Sequence, residues 1–204
     1  MFLRYVLAGL VGYLLGSINS ALIVGKLSGV DIRNHGSKNA GMTNTLRVLG
    51  KKKALYVLLG DILKGVVACM FGLIISNGVH TTVLVAGLLC ITGHNWPIYF
   101  GFRGGKGALT SITVLFFSDY RIALILIALF LAIVALTRYV SLGSMVAAVL
   151  LPILGLIFQN GFEFLLFALI LTLMLVYRHR TNIVRLLKGE ESKLNLKKTT
   201  KTAS

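Results

Sequence analysis

Carboxylates are nearly missing from this chain of 204 residues: six Asp and Glu stand against 21 Lys and Arg, a formal charge of +15. Tryptophan (one), proline (two) and cysteine (two) are also scarce. Cys69 and Cys90 both lie inside apolar runs, so they offer neither a disulfide frame nor a metal set and read as small packing residues. Four scattered histidines supply no zinc spacing with them. Charged residues of either sign make up 13% of the chain, about half of what a soluble domain carries. Hydrophobic residues make up 56% and fall in blocks, without alternation. An ordinary soluble domain is excluded, and so is a disordered chain. On a soluble protein a charge of +15 points to nucleic acid. Here the basic residues sit between apolar blocks, so their first task is topological and no nucleic-acid partner is expected.

A helix needs about 17 to 25 apolar residues to cross the hydrocarbon. Residues 5–24, 54–76 and 81–100 meet that easily, and 142–158 just reaches it. Segments 122–137 and 163–177 need their flanks, and 108–118 has 11 residues, the length of a half-helix or re-entrant piece. The expected fold is all-α: a single polytopic membrane domain over 1–204 with about seven transmembrane helices and a disordered basic tail from about 192. The first segment has no small-x-small cleavage site; Gly12 and Gly16, four apart, suit a close helix-packing face. With seven spans, 18 of the 21 basic residues share the side of the C-terminus, against Arg4 and Arg121 opposite and Lys64 within a span. Positive residues stay cytoplasmic, so the N-terminus is expected outside and the C-terminus inside. The connection 25–53 is long for a linker without structure of its own.

Polar density concentrates on that cytoplasmic side. Asp31-Ile-Arg33-Asn-His-Gly-Ser37-Lys-Asn39-Ala-Gly-Met-Thr-Asn44, followed by Arg47, has the small hydrogen-bonding residues and arginines that let a loop fold around an anion. Gly93-His94 leads to Phe102-Arg-Gly104-Gly105-Lys106-Gly107 directly before a helix start, where backbone N–H groups are expected to point at a phosphate while Lys106 supplies charge. It is not a Walker A loop, since Gly107 replaces the Ser or Thr that holds magnesium. In Arg138-Tyr-Val-Ser141, Ser141 reads as an N-cap. In Arg178-His179-Arg-Thr-Asn182-Ile-Val-Arg185, His179, Asn182 and Arg185 share a helix face, and the apolar face suits a lipid interface. Asp61 and Lys64, three apart inside a span, are expected to pair or to face a polar cavity. No His-x-x-x-x-Asp pair and no Gly-x-Ser-x-Gly elbow is present. The residues alone therefore describe a polytopic inner-membrane protein with a cationic cytoplasmic pocket for one or two phosphates, opening onto lipid.

These motifs, in this order over nearly the whole chain, resemble the bacterial acyl-phosphate-dependent glycerol-3-phosphate acyltransferases, the PlsY family. The match runs from Gly16-Ser17-Ile18 through Asp61-x-x-Lys64-Gly65 to Asn182-Ile183-x-Arg185-Leu186. The resemblance implies transfer of a fatty acyl group from acyl phosphate to the 1-hydroxyl of glycerol 3-phosphate, giving lysophosphatidic acid and phosphate as the first step of phospholipid synthesis. It implies no cofactor and no metal, and it names membrane lipid and the soluble enzyme that makes acyl phosphate as partners. It places the protein in the bacterial inner membrane with its site on the cytoplasmic side. By the family's motifs Ser37, Lys106 and His179 are the catalytic residues, and Arg33, Asn39, Asn44, Arg47, Gly104, Gly105, Ser141, Asn182 and Glu191 bind substrate phosphate. An activated mixed anhydride needs mainly orientation and charge neutralisation, which suits a chain without a triad. The sequence departs from the family at Lys38, where a glycine is usual, at Met42, where alanine is usual, and at Asn19, where proline is common. The rival reading is an anion transporter with Asp61 and Lys64 as a coupling pair; a transporter needs a polar path through both leaflets. A third is a lipid-binding scaffold without turnover.

Overall fold

The computed structural model describes residues 1–194; the remainder of the expected disordered tail lies outside the described residues. It is all-α: α1 (Phe2–Ser17), α2 (Ser20–Leu27), α3 (Met42–Ile75), α4 (His80–Asn95), α5 (Ala108–Ser118), α6 (Tyr120–Thr137), α7 (Val140–Ile157), α8 (Gly161–Arg178) and α9 (Arg180–Leu187), with short 3-10 turns at Ile32–Asn34 and Ile98–Phe100. Six helical stretches are long and apolar enough to cross a membrane, and α5 is a shorter apolar helix of 11 residues. The flanks that 122–137 and 163–177 lacked are helical, so α6 and α8 each reach 18 residues.

Two expectations need correction. The first span is not continuous: α1 stops at Ser17, and Asn19 starts α2 by accepting the Leu22 amide at 3.0 Å while its own amide donates to Ala40 O. An Asn that bonds a backbone amide two or three residues on competes with the helical ladder and breaks it. The connection 25–53 is also shorter than its polarity suggests, because α3 already begins at Met42 and runs on through a kink at Gly50, where φ is 83°. Apart from the 3-10 turn at Ile32–Asn34, only 28–31 and 35–41 are left as loop.

Glycine spacing sets the centre of the bundle. A Cβ on Gly12 would strike the Ala86 carbonyl of α4, and one on Gly16 the carbonyl of Cys90, so α1 and α4 meet backbone to backbone, as the spacing of four predicts. The helix ends sort into two groups. At one, His80 Nε2 lies 3.1 Å from Ser118 O and Asn160 Nδ2 donates to Asp119 Oδ2 at 2.9 Å. At the other, Tyr13 OH donates to Trp96 O, Arg178 to Gly104 O and Gly105 O, and the Leu194 amide to Arg138 O. Short as it is, α5 therefore runs from the Asn95 end of α4 to its His80 end. Asp119 then turns the chain sharply into α6 by accepting the Arg121 and Ile122 amides. Beside the site, Leu115, Leu126, Leu151 and Leu171 close over Phe164 and Phe167 in the buried apolar core.

Lys38, at the family's glycine position, has φ 59°. Its side chain is exposed, so the residue carries left-handed strain of about 1–2 kcal/mol without a compensating contact. Lys38→Gly is expected to leave turnover unchanged and raise Tm by a few degrees, measured by thermal unfolding in detergent.

Candidate active site

The polar ends of α3, α5, α7, α8 and α9 converge on one cavity of about 410 Å³. Its mouth is polar: Ser37, Asn39, Arg47, Lys106, Ser141, His179, Asn182 and Glu191. Its depth is apolar, with Leu109, Ile112 and Leu115 on α5, Leu126, Ile127, Phe130 and Leu131 on α6, Ala147, Ala148 and Leu151 on α7, and Leu171 and Leu175 on α8. Leu131 is 57% exposed and still borders the cavity, whereas Leu151 and Leu171 are 1% exposed. The shaft thus opens sideways at Leu131 and ends on a packed floor.

One carboxylate organises the mouth. Glu191 Oε1 accepts from Ser141 Oγ and Asn182 Nδ2, both at 2.7 Å, and Oε2 accepts from Arg185 Nε at 2.8 Å. These donors, against opposing burial, hold its pKa below the ordinary glutamate value. Asn182, turned by Glu191, presents its Oδ1 to Lys106 Nζ. Burial pushes the Lys106 pKa down to about 8, with Arg185, Arg178 and Arg47 adding to the push and Glu191 opposing it. His179 Nδ1 lies 2.9 Å from Leu175 O, so Nδ1 carries the proton and Nε2 is left as an acceptor. Burial, then the nearby Lys106, pushes this imidazole down to about 4 and keeps it neutral at pH 7. Arg47 reaches Ser192 O at 3.0 Å, which ties the start of the tail to the mouth.

Several predicted site residues stand elsewhere or do something else. Arg33 does not line the cavity: its guanidinium forks onto Asp31 and touches Phe100 O. Asn44 borders the cavity, but its amide is spent, accepting from the Ser37 amide at 2.8 Å and donating to Ile32 O and His35 O. It braces the loop that carries Ser37. The amides of Gly104 and Gly105 are already engaged: they donate to Asn95 O and His94 O, while Arg178 grips the two carbonyls. The backbone donors at the cavity are the first amides of α5, at Ala108 and Leu109, which have no intrahelical partner. Ser141 is not the N-cap of α7; Tyr139 holds that position and the Ser141 hydroxyl is taken by Glu191. Glu191, an anion, accepts from Ser141, Asn182 and Arg185 and so holds these donors in place.

Sequence reading missed Arg178 as the clamp of the glycine loop. It also missed that His94, 3% exposed, lines the cavity together with Asp61. The Gly93-His94 pair beside the glycine run was the available signal. Asp61 and Lys64 do pair, at 2.9 Å. Among the described residues the polar mouth is continuous with an apolar floor and not with a second polar opening, which counts against an anion path through both leaflets.

The family model for glycerol-3-phosphate acyltransferase matches residues 6–189. A glycerol-3-phosphate acyltransferase of Thermoanaerobacter sp. (strain X514) is 45% identical over 193 residues, covering 94% of this chain and 96% of the relative. One from Shouchella clausii (strain KSM-K16) is 47% identical over 208 residues, covering 97% and 99%. Crystal structures of PlsY (YgiH), an integral membrane glycerol 3-phosphate acyltransferase, are similar throughout. The glycerol 3-phosphate form gives a TM-score of 0.88 at 36% identity over 94% of this chain and 96% of that one. The lysophosphatidic acid form gives 0.85 at 35% over the same shares.

Proposed function

The chain belongs to the glycerol-3-phosphate acyltransferase family, and from that premise we propose how its cavity performs the reaction. The enzyme transfers a fatty acyl group from acyl phosphate to the 1-hydroxyl of glycerol 3-phosphate, releasing phosphate and lysophosphatidic acid. The observation that carries the mechanism is the joining of a cationic mouth to an apolar shaft in one cavity. The acyl tail lies among the leucines of α5 to α8, and the head remains at the mouth.

Lys106, the first amides of α5, Ser37 and Asn39 hold the phosphate of the donor, and Arg47 faces the phosphate of glycerol 3-phosphate. Attack of the 1-hydroxyl on the acyl carbon forms the ester C–O bond, and the bond from that carbon to the phosphate oxygen breaks. His179 Nε2 accepts the hydrogen bond of the attacking hydroxyl and orients it. A group held near 4 is a poor sink for the proton at pH 7. A phosphate oxygen, with a second pKa of about 6, is better matched, and the proton leaves on phosphate. Lys106 and the α5 amides neutralise the charge that grows on the leaving group. Arg33 and Asn44 build the loop, and Glu191 aligns Ser141, Asn182 and, through Asn182, Lys106.

We read the helix ends as seven crossings with α5 as the short one. The N-terminus is outside, and the mouth, with its surrounding basic residues, faces the cytoplasm. The partners are the two substrates and membrane lipid, with a soluble enzyme supplying acyl phosphate. The test is phosphate release and lysophosphatidic acid formation from lauroyl phosphate and glycerol 3-phosphate by purified protein without added metal, with Ser37→Ala alongside. Turnover that falls sharply in the variant is expected; a folded, lipid-supplied wild type without turnover refutes the reading.

The shaft also measures the chain. From Ser141 to Leu151 along α7 is ten residues, about 15 Å, room for about 12 extended carbons before the floor. Leu151→Ala is expected to shift the kcat/KM optimum toward longer acyl phosphates by two to four carbons, with selectivity changing about tenfold, as roughly 1–3 kcal/mol per methylene allows. A chain-length series on both proteins checks this.

A further inference from the structure

The buried cluster of Asp61, Lys64 and His94 has no part in the scheme above. Lys64 Nζ lies 2.9 Å from Asp61 Oδ1 and 2.7 Å from His94 Nδ1, and it donates to the carbonyls of Gly16 and Ile18, which the break after α1 leaves free. An ammonium only donates. His94 Nδ1, at hydrogen-bond distance from it, therefore accepts, and the ring proton resides on Nε2. Among the described residues, Nε2 meets no hydrogen-bond acceptor. It stands against Gly105, where an added methyl would collide with it, and the backbone of His94 also receives the Gly105 amide at 3.0 Å. His94 lines the same cavity as Asn39 and Lys106, and the point at Gly105 that its Nε2 approaches also lies against Ala40 O, so the neighbours of Asn39 and Lys106 in the chain meet there. An N–H donor is thus fixed at the junction of the Ser37–Asn39 loop and the lysine, the place assigned to the donor's phosphate.

We propose that His94 is a further substrate-contacting residue: its Nε2–H donates to an oxygen of the bound phosphate, with Lys64 as the positioning residue that fixes the tautomer. Asp61 offsets the charge of Lys64, so the histidine adds a hydrogen bond without another cation in a mouth already crowded by Arg47, Lys106 and Arg185. The inference rests on the acyltransfer reading for the identity of the anion. It does not depend on that reading for the tautomer.

The test uses full-length protein labelled with ¹⁵N-histidine, whose four histidines are resolved by the loss of one signal set in His94→Gln. Near neutral pH, Nδ1 of His94 is expected to resonate as an unprotonated nitrogen and Nε2 as a protonated one, with Nε2 moving when inorganic phosphate is added. In kinetics, His94→Gln, whose amide N–H reaches the Nε2 position, is expected to keep kcat within about threefold. His94→Phe is expected to lose 10- to 100-fold, the range for a hydrogen bond to a charged group. A protonated Nδ1, an Nε2 signal indifferent to phosphate, or a Phe variant as fast as the Gln variant overturns the proposal. Wild-type turnover in the same assay separates these outcomes from failure of the acyltransfer reading, and the tautomer measurement stands even if the Phe variant does not fold.

Discussion

Replacing Lys106 with alanine is expected to lower kcat/KM by 10³-fold or more while leaving the fold as stable as before or slightly more so. The ammonium is held by Asn182 at the start of α5, where the proposed mechanism has the leaving phosphate gather charge. Charge-neutralising donors in such dry sites are worth several kcal/mol. Its burial opposes the charged form: a pKa brought from 10.5 to about 8 corresponds to roughly 3 kcal/mol of lost stability near neutral pH. Removing the lysine removes that penalty along with the function. The pH profile separates this from a packing defect. Lys106 is charged below about 8 and loses its proton above it, so kcat/KM is expected to fall about tenfold per unit as pH rises through that value. A bound phosphate favours the ammonium, so the corresponding limb of kcat lies at higher pH. Lys106→Arg, charged throughout, is expected to lose the alkaline limb and to remain slower than wild type, since a planar guanidinium does not replace a compact point charge. Retention of the limb in that variant would assign it to another group.

The helices were legible because crossing hydrocarbon requires long apolar runs, and α1 with α2, α3, α4, α6, α7 and α8 have them. What the runs conceal is where the ladder breaks. Ile18-Asn19 sits inside an apolar stretch, and only the reach of Asn19 to Leu22 and of Lys64 to the freed carbonyls reveals the break. The first turns of α3 were hidden for the opposite reason: in residues 42–53 Met42, Leu46, Val48 and Leu49 alternate with Thr, Asn, Arg and three lysines, too polar a mixture to read as part of a span. At the site, the motifs delivered the right neighbourhood but not the division of labour. Asn44 and Asn182 are both motif asparagines; one braces backbone carbonyls and the other turns to a lysine. Composition cannot distinguish them, because an amide serves either task and the choice is made by which partners the fold brings within 3 Å. The glycines misled in the same way. Their signal was real, but its cause is space for His94 and Ala40, not open amides for a ligand.

That cause has a direct consequence at Gly105. A Cβ there would run into His94 Nε2 and the Ala40 carbonyl at once. The first is an imidazole held from behind by Lys64, and the second is a backbone oxygen already bonded to Asn19. Neither is the free end of a flexible side chain, so the loop itself must move, and Lys106 moves with it. A displacement of about 1 Å at a positioning element costs about 10²-fold in rate. Gly105→Ala is therefore expected to lower kcat by 10²- to 10³-fold. Gly101, whose added Cβ would meet nothing within 4 Å but whose φ is 64°, supplies the control: Gly101→Ala carries only the strain of a left-handed alanine, about 1–2 kcal/mol, and is expected to keep most of the activity. If Gly105→Ala and Gly101→Ala lose rate equally, loop strain and not the displacement of Lys106 is the cause. If Gly105→Ala keeps wild-type kcat, the contact between the glycine loop and His94 does not position the lysine.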